Sequence, residues 1–127
     1  MTSPTVLVVD DHAGFRATAR RLLERDGWTV VGEAADGASA LAAAAALSPD
    51  LVLLDVGLPD IDGFVVAQLL VDNTADGARR PAVILVSSRD RRTYGARIEA
   101  SPALGFLAKD ELDGSRLLAF VAADGPR

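Results

Sequence analysis

Short apolar runs and amphipathic stretches alternate along the chain. Residues 6–9, 29–31, 51–54 and 82–86 are β-branched or leucine-rich, and residues 104–107 form a weaker fifth run. Four of the five lack polar alternation, the pattern of strands buried on both faces of a sheet. Between them the spacing becomes helical. Phe15, Ala19, Leu22 and Leu23 share one face of a first helix, with Arg16, Arg20, Arg21 and Glu24 mostly outside it. Residues 38–47 are almost all Ala and Leu, which favours a helix that packs close to a sheet. Phe64, Ala67, Gln68 and Val71 predict a third helix. A fourth is expected over 91–100, with Tyr94 and Ile98 four apart, and a fifth over 112–123, ended by Gly125-Pro126. Gly27, Asp36-Gly37, Ser48-Pro49, Leu58-Pro59, Asp62-Gly63, Asp76-Gly77 and Pro81 punctuate the elements. The polar segment 72–81 is expected to be a surface loop.

Strand and helix repeated five times predict an α/β fold, a single (βα)5 doubly wound parallel sheet with right-handed crossovers and helices on both faces. The expected strand order is 2-1-3-4-5, the flavodoxin-like arrangement. A length of 127 residues fits one domain over 1–127, with a core at about 5–123. No linker, second domain or output domain is visible. With 13 basic and 18 acidic side chains the net charge is −5, which disfavours direct nucleic-acid binding. There is no Cys, hence no disulfide or thiolate metal site, and this fits a reducing, cytoplasmic setting. No targeting segment and no membrane span are expected.

In such a sheet the functional crevice lies at the C-terminal strand ends. There the first strand meets Asp10-Asp11, the third Asp55, the fourth Ser87-Ser88, and the fifth Lys109. Strands 1 and 3 are expected neighbours, so three carboxylates converge. Like charges at that range oppose mutual ionisation. A hard divalent cation such as Mg²⁺ resolves the conflict and takes phosphate oxygens into its shell. A hydroxyl and an ammonium then suit the remaining phosphoryl oxygens. Each acid alone also fits a plain role: Asp11 or His12 as cap of the first helix, Asp10 as a loop acid, Asp55 as a turn cap. The five together are harder to explain that way. His12, the one histidine, is expected to be solvated at the start of the first helix.

These residues resemble the receiver domain of two-component response regulators. The likeness is carried by Val8-Val9-Asp10-Asp11-His12, by the run from Asp50 to Gly63 (DLVLLDVGLPDIDG), by Val86-Ser87-Ser88 and by Gly105-Phe106-Leu107-Ala108-Lys109. It is greatest to receivers that precede a helix-turn-helix DNA-binding domain. The resemblance implies Asp55 as phosphoacceptor, taking its phosphoryl group from a histidine kinase or phosphotransfer protein. It implies Mg²⁺ held by Asp10, Asp11, Asp55 and the backbone carbonyl of Gly57. It makes Ser87 the hydroxyl that follows the phosphoryl group, Lys109 the conserved-type ammonium and Phe106 the switch aromatic. Such a domain is not an enzyme beyond its own phosphorylation and dephosphorylation. Its output face is expected to be helix 4, strand 5 and helix 5, where a homodimer could also form.

Asp110 stands where the family at large has Pro. Ser88 stands where the family usually has Ala or Gly, and is still small. Residues 89–102 match poorly and are basic, with Arg89, Arg91, Arg92 and Arg97, either a solvated face or an ion-pairing surface. Without a hydroxyl, Phe106 is expected to favour an inward ring. A dinucleotide or flavin site would need a phosphate-cradling turn after strand 1, and Asp-Asp-His-Ala-Gly is not one. An aspartyl phosphatase would want an acid at position 57. The remaining alternative is a phosphorylation-independent pseudo-receiver acting as a dimerisation module.

Overall fold

A computed structural model describes residues 3–74 and 80–123. The strands are β1 (Thr5–Val9), β2 (Thr29–Ala34), β3 (Leu51–Asp55), β4 (Ala82–Ser87) and β5 (Gly105–Ala108). The helices are α1 (Ala13–Arg25), α2 (Gly37–Leu47), α3 (Gly63–Asp72), α4 (Ala96–Ala100) and α5 (Gly114–Ala123). All strand pairs are parallel and the order is β2-β1-β3-β4-β5, as the alternation of elements predicts. No helix among the described residues is long and apolar enough to cross a membrane.

The continuous apolar runs serve two faces at once. Leu7, Val9, Val52, Leu54, Val83 and Leu85 point to one core with Ala40, Phe64, Val66 and Leu70. Val6, Val8, Leu51, Leu53, Ile84 and Val86 point to the other, with Ala19, Leu23, Trp28 and Leu117. This is period-two alternation between two apolar environments. The alanines of α2 do what their size allows: Ala40 is buried, and Ala43 and Ala44 lie half-buried against the first core.

Two helices differ from expectation. The fourth is broken: a 3₁₀ turn spans Arg91–Thr93, and α4 begins only at Ala96. Gly95, at φ +52°, separates them in a conformation other residues avoid. Helix α5 starts at Gly114, because Asp113 accepts from Ser115 N at 2.9 Å and a separate 3₁₀ turn occupies Lys109–Glu111. The expected stop at Gly125-Pro126, the turn at Asp76-Gly77 and the middle of the 72–81 loop lie outside the described residues.

Candidate functional site

The parallel register brings the ends of β1, β3, β4 and β5 to one edge of the sheet. Asp10 follows β1 with no exposed surface, Asp55 closes β3 at 4% and Ser87 closes β4 at 4%. Lys109 follows β5 and reaches back over the edge. Its Nζ lies 2.6 Å from Asp10 Oδ2 and 3.8 Å from Asp55 Oδ2. The first contact compensates the charge of a buried oxygen, Asp10 Oδ2, that has no other polar partner among the described residues. The other oxygen, Oδ1, accepts from His12 N at 2.8 Å and lies 3.1 Å from His12 Nδ1. The His12 ring is also 3.0 Å from Asp11 Oδ1 and stays largely exposed, as expected. His12 stands at the cap position of α1, yet neither its side chain nor Asp11 caps the helix by a hydrogen bond.

Burial pushes the Asp55 carboxyl above its ordinary value, and the nearby Asp10 charge pushes the same way; Lys109 and the Gly57 amide offset part of this. Gly57 N donates to Asp55 Oδ1 at 3.2 Å, so the expected turn-cap role of Asp55 is also real. The chain then returns tightly. Gly63 N donates to Val56 O at 2.9 Å, and a Cβ at Gly63 would come within 2.5 Å of the Asp55 carbonyl oxygen. Only glycine permits that approach.

Ligand atoms of Asp10, Asp11, His12 and Asp55 all lie within 4.8 Å of one another. Three of the four are carboxylates, the hard oxygen donors that Mg²⁺ prefers. One of them, Asp10, is fully buried, and their mutual repulsion is what a cation relieves. The donor set therefore fits Mg²⁺.

Four contacts escape sequence reasoning. Arg16 Nη1 donates to the Asp10 carbonyl at 2.7 Å while its Nε bonds Glu33 at 3.2 Å, so α1 is pinned to β2 and to the site. The Lys109 ammonium sits 4.7 Å from the Phe15 ring centroid, a cation–π contact. Ser87 Oγ lies 2.7 Å from the Tyr94 hydroxyl. Helical spacing puts Phe15 on a core face and Arg16 outside it, and only the tertiary fold gives these two and Tyr94 their partners at the site. Phe106 is half-buried, 5.7 Å from the Tyr94 ring. Phe106 also lines an open groove of about 380 Å³ with Asp90, Arg91, Arg92, Ala108 and Glu111.

A doubly wound parallel sheet with an acidic pocket and a lysine at its C-terminal edge defines a class, and comparison with known proteins names the family. The family model described as response regulator receiver domain matches residues 6–122. A Pseudomonas aeruginosa protein described as a transcriptional regulator is 41% identical over 117 residues, covering 92% of this chain and 55% of that protein. A protein-glutamate methylesterase/protein-glutamine glutaminase of Anaeromyxobacter dehalogenans is 45% identical over 111 residues, covering 86% of this chain and 30% of that protein. The signal receiver domain of NarL from Mycobacterium tuberculosis superposes with a TM-score of 0.85 at 32% identity, covering 99% of this chain and all of that one. The chain belongs to the response regulator receiver domain family. It spans about half the length, or less, of these two full-length relatives.

Proposed function

We propose that Asp55 accepts a phosphoryl group from a histidine kinase or phosphotransfer protein. An Asp55 carboxylate oxygen attacks phosphorus and forms the acyl phosphate. The bond from phosphorus to the donor imidazole nitrogen breaks, and its electron pair leaves with the imidazole. Ser87 donates its hydroxyl proton to one phosphoryl oxygen, and Lys109 sets its positive charge against another. Asp10, Asp11, Asp55 and the Gly57 carbonyl would hold Mg²⁺, which when bound supplies charge neutralisation to the carboxylates and the phosphoryl oxygens. The observation that carries this reading is the convergence of buried Asp10 and Asp55 on the one ammonium of Lys109.

On this reading residues 1–127 act as one receiver domain that is not an enzyme towards other substrates. Phosphorylation switches the α4–β5–α5 face, through Ser87 and Phe106, towards an output or a second copy of the chain. The setting is cytoplasmic, where phosphodonor kinases and Mg²⁺ are available.

Intact mass after incubation with acetyl phosphate tests the proposal. One phosphoryl mass is expected with Mg²⁺, none with a chelator, and none in Asp55→Asn. Full labelling of Asp55→Asn would overturn the assignment, and labelling indifferent to chelation would remove the metal.

A further inference from the structure

We propose that Tyr94 is a positioning residue for this phosphorylation: its phenol donates to Ser87 Oγ and leaves the serine proton as the donor to the phosphoryl group. The inference rests on the reading of Asp55 and Ser87 just given.

A serine hydroxyl has one proton to give and two lone pairs to fill. Arg89 N donates to Ser87 Oγ at 3.0 Å and fills one of them. The Tyr94 hydroxyl, at 2.7 Å, is the second partner, and distance alone allows either oxygen to donate. Acidity decides between the two directions. A phenol, with a pKa of about 10, is a better donor than an alkyl hydroxyl, whose oxygen is the better acceptor. Tyr94 therefore gives its proton to Ser87, and both serine lone pairs are taken. The one bond Ser87 can still make is a donation, and the oxygens of a phosphoryl dianion only accept. The opposite direction would commit the serine proton to Tyr94 and require its release before each transfer.

The tyrosine is held where this arrangement needs it. Its ring lies edge-on to Phe64 at 5.6 Å and 5.7 Å from Phe106. Arg97 stacks 4.3 Å over Phe64 and is itself fixed by Asp62 at 2.7 Å. The break at Gly95 is what lets residue 94 leave a regular helix and face β4.

Tyr94→Phe keeps the ring and removes only the donor. The initial rate of phosphoryl addition by acetyl phosphate, with Mg²⁺ saturating, is measured in four proteins: wild type, Tyr94→Phe, Ser87→Ala and the double variant. Tyr94→Phe is expected to lower the saturating rate about three- to tenfold, the worth of one hydrogen bond. The half-saturating acetyl phosphate concentration should stay within about twofold, because binding contacts are untouched. In the Ser87→Ala background the same change should have no further effect. Tyr94 is the single tyrosine of the chain. A 3-fluorotyrosine label therefore reports on it alone, and its ¹⁹F resonance should move in Ser87→Ala. Equal losses in both backgrounds would make Tyr94 merely structural and overturn the inference. A faster Tyr94→Phe would overturn it differently, showing that tyrosine withholds the serine proton. Failure of the wild type to gain mass would instead refute the phosphoacceptor reading, and the inference with it.

Discussion

Asp10 carries a charge in a place with no exposed surface. What keeps it there is Lys109 at 2.6 Å, an ammonium itself held over the Phe15 ring. Asp55, also buried, adds a second carboxylate that the same ammonium only partly offsets. Without a cation the site is thus short of positive charge. Removing Lys109 leaves the acids uncompensated, and removing an acid relieves them. Lys109→Met is expected to lower metal-free stability by roughly 1–3 kcal/mol, less than the ~3–5 of a fully buried broken pair because the ammonium keeps some exposure. Asp55→Asn should raise it. Both differences should shrink at millimolar Mg²⁺ in Asp10-containing proteins, and paired urea titrations with and without the ion measure this. A Lys109→Met protein as stable as wild type without Mg²⁺ would mean that solvent, not lysine, holds the Asp10 charge.

Between elements, Asp60 is the clearest tie. From the loop before α3 its carboxylate accepts from Gly37 N at 2.7 Å and Ala38 N at 3.0 Å, the first amides of α2, and from Ile61 N at 2.8 Å. Those amides hold the carboxyl below the ordinary aspartate value, with Gly37 the largest cause. A carboxyl lowered in the folded state contributes stability above its unfolded value near 3.8. That stability is lost as pH falls through the lower folded value. Asp60→Ala should therefore weaken the domain at neutral pH and flatten the acid limb of its stability profile below about pH 4, read by thermal unfolding across pH. An unchanged acid limb would place the titration elsewhere. Strands and most helices were legible because their cues are local: apolar runs, alanine, and Asp-Gly turns. The acids and Lys109 were legible because strand ends in a parallel sheet share an edge. The break in the fourth helix was not, since Tyr94 and Ile98 suit one continuous helix. What splits them is a bond from Tyr94 to Ser87 on another element, with Gly95 free to turn. Phe15 and Arg16 stayed hidden for a related reason, because their spacing fits an ordinary core face and an ordinary solvated one.

On the scale of the molecule, one sheet separates two cores, and the helices that close the second come from opposite ends of the chain. Helix α1 lies near the start and α5 at the end, and they meet through the turn that leads into β2. Trp28, 3% exposed, joins them: its indole N–H donates to the Gly114 carbonyl at 2.9 Å, across 86 positions of sequence. Its own backbone N–H returns to Leu23 O at 3.0 Å, which fixes the ring relative to α1. Asp26 packs so close to Gly114 that a Cβ there would meet it at 2.8 Å. The first residue of α5 is therefore seated by shape and by one buried hydrogen bond. Trp28→Phe retains most of the apolar surface but leaves the Gly114 carbonyl without its indole donor. Such a loss costs roughly 1–3 kcal/mol, with a smaller addition for the volume removed. In a domain of this size that corresponds to a melting temperature lower by roughly 5–10 °C. None of the Trp28 hydrogen bonds reaches Asp10, Asp55 or Lys109, so phosphoryl addition by acetyl phosphate, measured well below the transition, should keep its rate within about twofold. Calorimetry and intact mass on the same preparation check both halves. Unchanged melting would show that the indole bond adds nothing to the seating of α5. A lost phosphorylation rate in a still-folded protein would show that α5 and the acids are coupled through this core.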